Sequence, residues 1–320
     1  MYIYSMARFT FTCLFLLLVS ILSMTCTKEH SDGPVNYQTK KVIILLVDGP
    51  RWEESGGDTS HEYMPYTYND LAPQGTLFAN FHNNGETYTI PGHTAILTGH
   101  YQSIANDGSQ HPQYPGLLQL YLEKFPQAKA LLIASKGKIA CLRNCTDPVY
   151  AGQFMPEIDC GLDGTGGGVR DDSVTFEQLK TRMTGDHPDF IFVQFKEPDA
   201  AAHAGDTAAY INGIVNGDQY VFETWNLIQS LPYYQNKTML VVTNDHGRHL
   251  NGTLDGFISH GDGCAGCRRI NCLLLGPDVK AGKIITNTYD QTDIHATVCG
   301  MLGLNNQYGQ GQMILEALVY

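Results

Sequence analysis

The sequence predicts an α/β/α sandwich with a largely parallel central sheet. Short runs rich in Val, Ile, Leu and Phe recur at wide spacing, at residues 42–47, 130–134, 190–195, 239–243 and 270–275. The segments between them are long enough for helices, notably residues 116–125, 172–183 and 210–231. Continuous apolar strands that alternate with helical crossovers are typical of a sheet covered by helices on both faces. The sequence shows no internal repeat and no linker that divides this region.

The composition is that of a folded globular protein. With 320 residues, of which 43% are hydrophobic, the chain can bury a full core. Its formal net charge is -12, from 20 basic and 32 acidic residues. This acidic balance argues against a nucleic-acid surface or an anionic membrane as the main partner, and it is compatible with metal binding.

The first 26 residues are interpreted as an export signal. Arg8 precedes an apolar stretch at residues 9–22, which is shorter than the roughly 20 residues that a membrane-spanning helix needs. The following LSMTC at residues 22–26 resembles a loose bacterial lipoprotein box, with Cys26 as the lipidated residue. Residues 27–40 are then a polar tether and residues 41–320 a single domain. These features predict a periplasmic or outer-membrane lipoprotein that meets a membrane only through Cys26; a plain cleaved signal and secretion are the alternative.

Seven cysteines remain once Cys13 and Cys26 are assigned to the signal. An odd number leaves at least one cysteine unpaired. Cys264 and Cys267 form a C-x-x-C pair that could supply half of a zinc site, but the sequence offers no second such pair to complete it. In an exported protein, a local disulfide or buried thiols are therefore favoured over a zinc ribbon.

Polar residues follow four of the predicted strands. Asp48 ends the first strand, Lys136 comes just after the second, Asp199 follows the third, and Asp245 and His246 follow the fourth. In an open parallel sheet, ligands bind at the carboxyl ends of the strands. We therefore expect these side chains to converge on one rim of the sheet.

The candidate metal ligands combine carboxylates and imidazoles. This mixture suits zinc better than magnesium or calcium. Six ligands exceed what one tetrahedral zinc uses, so they suit two metals with three ligands each. Paired metals roughly 4 Å apart can stabilise both the entering and the leaving oxygen of a phosphoryl transfer. The candidates are Asp48, Asp199, His203, Asp245, His246 and His260.

The motifs that carry these residues occur in a recognisable order. They are VDG at 47–49, TIPGH at 89–93, EPD at 197–199 with His203 four residues later, NDHG at 244–247 and HG at 260–261. Each motif is weak alone, but the ordered set resembles the alkaline phosphatase superfamily. It is most similar to the threonine-nucleophile branch, which comprises type I phosphodiesterases, nucleotide pyrophosphatases, phosphonoacetate hydrolases and phosphatases. The resemblance runs from Asp48 to about residue 277.

The resemblance implies how the metals are divided between the ligands. One zinc would be held by Asp199, His203 and His260. The other would be held by the three remaining ligands together with the hydroxyl oxygen of Thr89. Mn²⁺ or Fe at one of the two sites is left open. The expected ligands of this second site are Asp48, Thr89, Asp245 and His246.

The resemblance also implies a two-step reaction at Thr89. A metal lowers the pKa of the Thr89 hydroxyl directly, so that no histidine base is needed. Attack on phosphorus gives a phosphothreonine intermediate, which water then hydrolyses. His93, in the turn after Thr89, is interpreted as structural rather than as a ligand.

Three further residues match the family more loosely. Asn106 lies near the position of an asparagine that donates to a phosphoryl oxygen. Lys136 and Lys138 resemble a Lys-x-Lys element whose charges would neutralise a phosphomonoester dianion or a substrate carboxylate. The expected substrate is therefore a small phosphorylated molecule, with monoesters slightly favoured over diesters.

Alternative functions are weighed on the same residues. A phosphodiesterase or nucleotide pyrophosphatase, or a phosphonate hydrolase, would use the same centre. A sulfatase needs a Cys or Ser in a C/S-x-P-x-R pattern, which the TIPGH motif does not provide. A non-catalytic metal-binding relative is the alternative of another class, and the presence of Thr89 with all six ligands counts against it.

Overall fold

The computed structural model describes residues 36–319. The expected export signal and Cys26 lie outside the described residues. Residues 37–40, the last part of the expected tether, are packed on the domain: Thr39 is buried, and its amide and hydroxyl donate to Asp278 Oδ2 at 2.7 Å. Within residues 36–319, no helix is both long and apolar enough to cross a membrane.

An eight-stranded sheet forms the centre of the domain, in the order β10-β2-β9-β7-β1-β6-β4-β5. Only β9 runs against its neighbours; the other pairings are parallel. The predicted α/β/α fold with a largely parallel sheet is confirmed. The strands are β1 (Lys41–Asp48), β2 (Thr76–Phe78), β4 (Ala130–Ala134), β5 (Glu157–Cys160), β6 (Phe190–Pro198), β7 (Thr238–Thr243), β9 (Cys272–Leu275) and β10 (Lys283–Ile285).

Helices cover both faces of this sheet. Alternate residues of β1 belong to opposite cores: Ile44 packs in the core beneath α1, α2 and α7, and Leu45 packs in the core beneath α3 and α5. Because both faces are buried, β1 is apolar at nearly every position. The helices are α1 (Thr89–Thr98), α2 (Leu117–Lys124), α3 (Asp172–Gly185), α4 (Asp199–His203), α5 (Thr207–Ser230), α6 (Ala265–Arg268) and α7 (Gln291–Leu302).

A small second sheet explains one difference from the sequence prediction. Its strands, in the order β11-β3-β8, are β3 (Phe81–His82), β8 (Arg269–Ile270) and β11 (Tyr289–Asp290). The expected single strand 270–275 is therefore two strands in different sheets. Asn271 separates them because its backbone N–H donates to Asn244 Oδ1 (2.7 Å) instead of to a neighbouring strand.

Short helical turns complete the fold. A π-helical turn lies at Tyr66–Leu71, and 3₁₀ turns lie at Trp52–Glu54, Ala72–Gln74, Gly137–Arg143, Gly256–Ile258 and Leu315–Ala317.

The order of the strands determines where the polar residues that follow them lie. Because β7, β1, β6 and β4 are adjacent and parallel, the segments that follow them share one rim.

Candidate metal centre

Three buried ligand atoms face one another where β1 and β7 end. His246 Nε2 lies 3.5 Å from Asp48 Oδ1 and 3.4 Å from Asp245 Oδ2. All three atoms are shielded from solvent, and none has a hydrogen-bond partner. Buried polar atoms are normally satisfied, so three unsatisfied atoms at one point fit a bound cation. Asp48, Asp245 and His246 form three of the four expected ligands of one metal.

The protonation of His246 also suits a ligand. Its Nδ1 lies 3.0 Å from the carbonyl oxygen of Gly247, a contact that requires the hydrogen on Nδ1 and leaves the Nε2 lone pair free. Burial lowers the pKa of His246 to about 3, so the ring is neutral at physiological pH. Burial also raises the pKa of Asp48, with the Asp245 charge as the next cause. The charge of Lys136, which donates to Asp48 Oδ2, opposes both effects, and a further cation at Oδ1 would favour the ionised carboxylate.

A second group forms where β6 runs into α4. His203 Nε2 and His260 Nε2 are 3.1 Å apart, and each lies 3.3 Å from Asp199 Oδ1. His260 Nδ1 lies 2.7 Å from the carbonyl oxygen of Thr87, which again directs the Nε2 lone pair inward. The side chain of His203 is 48% exposed, so this group opens to solvent. These three residues are the expected ligands of the other metal.

The two groups are in direct contact with each other. The rings of His246 and His260 stack with their centroids 3.7 Å apart. Ligand atoms of Asp199, His246 and His260 also lie within 4.8 Å of one another, so His246 is close to both groups. The six expected ligands thus form one continuous centre at the rim.

Thr89 lies at the amino end of a buried helix beside this centre. It is the first residue of α1 and is 1% exposed. The first turn of α1 packs tightly on the segment after β7, since a Cβ at Gly92 would lie 2.6 Å from the carbonyl oxygen of Asp245. His93 Nδ1 lies 2.7 Å from the Thr89 carbonyl oxygen and 3.4 Å from Asp245 Oδ2. His93 thus links the turn of Thr89 to the centre.

Lys136 is a buried cation that contacts carboxylates of both groups. Lys136 Nζ donates to Asp48 Oδ2 (2.8 Å) and to Asp199 Oδ2 (2.6 Å), so it joins the two groups. Burial alone would lower the pKa of Lys136, but the charges of Asp48 and Asp199 outweigh it and raise this pKa. Lys136 uses the Oδ2 atoms, which leaves Asp48 Oδ1 free and Asp199 Oδ1 facing the histidines. Its expected contact with substrate stays a prediction.

Arg248 is a site residue that the sequence analysis missed. Its side chain is fully buried, and Nη1 donates to Asp199 Oδ1 at 2.5 Å. The same segment approaches Gly49, where a Cβ would lie 2.8 Å from Arg248 Nη1 and 2.9 Å from His246 Cε1. Gly49 also has a φ of +65°, so glycine is required there for both reasons. The only sequence signal for Arg248 was its position directly after the NDHG motif.

Asn106 and Lys138 lie together at the amino end of α1. Asn106 Oδ1 accepts the amide N–H of Ile90 at 2.9 Å, which leaves the Nδ2 group as its donor. Lys138 Nζ donates to the carbonyl oxygen of Asn106 at 2.9 Å. Asn106 thus lies beside the first turn of α1, which begins at Thr89, and Lys138 brings a positive charge to the same place; their expected roles stay predictions.

The donor set fits divalent metals. The Asp48, Asp199 and Asp245 carboxylates carry three negative charges if ionised, and Lys136 and Arg248 return two positive charges. Ligand atoms 3.1–3.5 Å apart match a tetrahedron with bonds of roughly 2.0–2.2 Å, the range for zinc with nitrogen and oxygen ligands. The unsatisfied atoms, the neutral ring of His246 and the residual negative charge all favour cation binding.

Comparisons with known proteins agree with this fold. The profile of the metalloenzyme superfamily matches residues 91–306, which include Asp199, His203, Asp245, His246 and His260 but not Asp48 or Thr89. A search of curated proteins gives no significant match.

Three solved structures illustrate the similarity. A phosphonate monoester hydrolase of Agrobacterium radiobacter has a TM-score of 0.60 and 14% identity, over 87% of this chain and 77% of that one. Murine ectonucleotide pyrophosphatase/phosphodiesterase 5 has a TM-score of 0.62 and 14% identity, over 87% and 100%. A sulfatase from a Pseudoalteromonas species has a TM-score of 0.58 and 18% identity, over 86% and 71%. With its ligand geometry and the profile match over more than half of its length, the chain belongs to the metalloenzyme superfamily, whose members depend on divalent metals.

Proposed function

We propose that this protein is a two-metal hydrolase of phosphate esters that acts through Thr89. The observation that carries the proposal is the position of Thr89: a hydroxyl at the amino end of α1, whose first turn packs against the Asp245 segment of the ligand cluster. A helix amino terminus favours an anionic phosphoryl group. The geometry therefore supports phosphoryl transfer to a side-chain oxygen.

Two zinc ions are the proposed cofactors, with Mn²⁺ or Fe as alternatives at one site. Asp48, Asp245 and His246 would hold one ion, with Thr89 as an additional ligand; Asp199, His203 and His260 would hold the other. When bound, such ions act as Lewis acids that stabilise negative charge on the reacting oxygens. The mixture of imidazole and carboxylate donors supports zinc over magnesium or calcium.

The reaction proposed for the chain's own residues has two steps. In the first, the bond between Thr89 Oγ1 and phosphorus forms as the bond from phosphorus to the leaving oxygen breaks, and the hydroxyl proton passes to the departing alcohol. In the second, water cleaves the phosphothreonine, releases phosphate and returns a proton to Thr89. Asn106 and Lys138 would stabilise the phosphoryl oxygens in both steps, and their place at the amino end of α1 supports this role.

A polar cleft supports a small substrate. It has a volume of about 370 Å³ and borders the segment that carries His260, with Thr87, Gly261, Asp262 and Arg268 among its lining residues. Arg268 is anchored there by hydrogen bonds from Nε to the carbonyl oxygen of Gly263 (2.7 Å) and from Nη1 to that of Asn83 (3.1 Å). We propose that the leaving group of the ester occupies this cleft.

We also propose that the protein is exported and held at a membrane only by a lipid on Cys26. The support is the apolar stretch 9–22, followed by LSMTC and a short polar segment before the first buried residues. The expected partners are then a small phosphorylated substrate and the lipid bilayer, not a nucleic acid.

Removing ligand charge should remove metal. Asp48→Asn and Asp199→Asn should each lower the metal bound per chain by about one ion relative to the unchanged protein, because each removes an anionic donor from a different group. The measurement is elemental analysis after dialysis, and Glu177→Gln, which changes an exposed carboxylate, is the control. Unchanged metal content in either variant would remove that aspartate from the ligand set.

The nucleophile is tested by two substitutions at one position. Thr89→Ala should lower kcat by at least about 10³-fold, because no oxygen remains to accept the phosphoryl group. Thr89→Ser should keep activity within roughly tenfold, because the hydroxyl is retained. Acid quenching with a ³²P-labelled substrate should trap label on the unchanged protein and on Thr89→Ser only. Normal turnover by Thr89→Ala would refute the assignment.

Substrate charge is tested by comparing an aryl phosphate monoester with the matching diester. We expect a higher kcat/KM for the monoester than for the diester. Lys138→Met should lower the monoester kcat/KM by about 10-fold or more and should change the diester kcat/KM less, because only the monoester is a dianion. Thr89→Ala provides the blank. A diester preference that Lys138→Met leaves unchanged would instead indicate a phosphodiesterase or nucleotide pyrophosphatase.

The proposed anchor is tested by metabolic labelling with a fatty acid in a bacterial host. The unchanged chain should incorporate label and fractionate with membranes, and Cys26→Ser should lose both properties. Cys13→Ser is the matched control, since Cys13 lies in the same signal but outside the LSMTC segment. Label that persists in Cys26→Ser would exclude this lipid site.

A further inference from the structure

A further cluster of side chains with potential metal-binding atoms lies outside the six expected ligands of the centre. The ligand atoms of His249, Asp262, Cys264 and Cys267 all lie within 4.8 Å of one another. Cys264 is the residue before α6, and Cys267 lies within that short helix. Two thiols, an imidazole and a carboxylate make a complete four-ligand set, so the C-x-x-C pair does not need a second pair to complete a site.

His249 provides an independent observation that points to a ligand. The residue is only 4% exposed, and its Nε2 is buried without a hydrogen-bond partner. Its other nitrogen, Nδ1, lies 2.6 Å from Asp255 Oδ1, which places the hydrogen on Nδ1 and leaves a lone pair on Nε2. A carboxylate behind a histidine is the arrangement that orients metal-bound imidazoles. Asp262 Oδ2 lies 3.3 Å from this Nε2, without making a hydrogen bond to it.

The backbone holds the two cysteines against His249. Gly247 N–H donates to the carbonyl oxygen of Cys267 at 2.8 Å. A Cβ at Gly266 would lie 2.4 Å from the carbonyl oxygen of Arg248. Only glycine at this position, between the two cysteines, therefore permits the backbone of Arg248 to pack so closely. Asp262 Oδ1 accepts the amide N–H of Cys264 at 3.0 Å, and the amide of Cys267 faces Cys264 Sγ at 3.5 Å. These contacts hold residues 262–267 close to the segment that carries His249.

We propose that His249, Asp262, Cys264 and Cys267 bind a third, structural zinc ion. The soft thiolates favour zinc over magnesium or calcium, and four protein ligands leave no open position for substrate. This ion would tie the segment after β7 to the loop that carries His260, two residues before Asp262. Its function is to fix the position of His260, and it does not depend on the proposed reaction at Thr89.

The test uses the sulfur ligands, because the six predicted ligands of the catalytic centre include no thiolate. The full chain is loaded with zinc, and X-ray absorption at the zinc edge should show zinc–sulfur scattering at about 2.3 Å. Replacement of zinc by Co²⁺ should give a thiolate-to-cobalt charge-transfer band in the near ultraviolet. Neither signal depends on activity, so failure of the proposed function leaves this test intact.

Variants assign the signal to these cysteines. Cys264→Ser should abolish the charge-transfer band and lower zinc content by about one ion per chain, whereas Cys145→Ser, which changes a buried thiol outside the group, should keep both. The proposal is overturned if the unchanged chain shows no zinc–sulfur scattering, or if thiol titration of the unfolded, unreduced chain shows Cys264 and Cys267 joined as a disulfide. The scattering measurement decides the question even if Cys264→Ser fails to fold.

Discussion

The concentration of buried charge at one rim of the sheet is the constraint on which the site depends. Asp48, Asp199 and Asp245 are each at most 3% exposed, and two cationic side chains, Lys136 and Arg248, are buried with them. Ionised carboxylates away from water are costly unless cations pair with them. Two divalent ions would change the rim from net negative to net positive, which would both stabilise the carboxylates and attract an anionic phosphoryl group.

The fold supplies this constraint through strand order. Four adjacent parallel strands end at the same rim, and their apolar interiors anchor the charged residues at their ends. Hydrogen bonds then hold two of the expected acidic ligands: Gln194 donates to Asp48 Oδ2 at 2.9 Å, and Asn83 and Gln291 each donate to the backbone carbonyl oxygen of Asp245 at 2.7 Å. His246 and His260 are oriented by backbone carbonyl groups, which contact their Nδ1 atoms. The ligands are therefore held in place by the protein itself.

The parts of this structure that sequence could predict are those with a local signal. The buried strands are uninterrupted apolar runs, and the ligands at their ends follow in recognisable motifs. The break at Asn271 was missed because its cause is Asn244, a residue distant in the chain. Arg248 was missed because an arginine is ordinarily exposed, and only tertiary packing shows that this one is buried against Asp199. His249 and Asp262 were likewise not joined to the cysteines, since no fixed spacing connects them.

Occupation of this rim by two metal ions can be observed by anomalous diffraction at the zinc edge. For crystals of the zinc-loaded protein, we expect one peak bounded by Asp48, Asp245 and His246, and another bounded by Asp199, His203 and His260. Lys136 should still contact the Oδ2 atoms of Asp48 and Asp199, since the ions would take the other oxygens. If anomalous density were absent from either position, two metals would not occupy the rim.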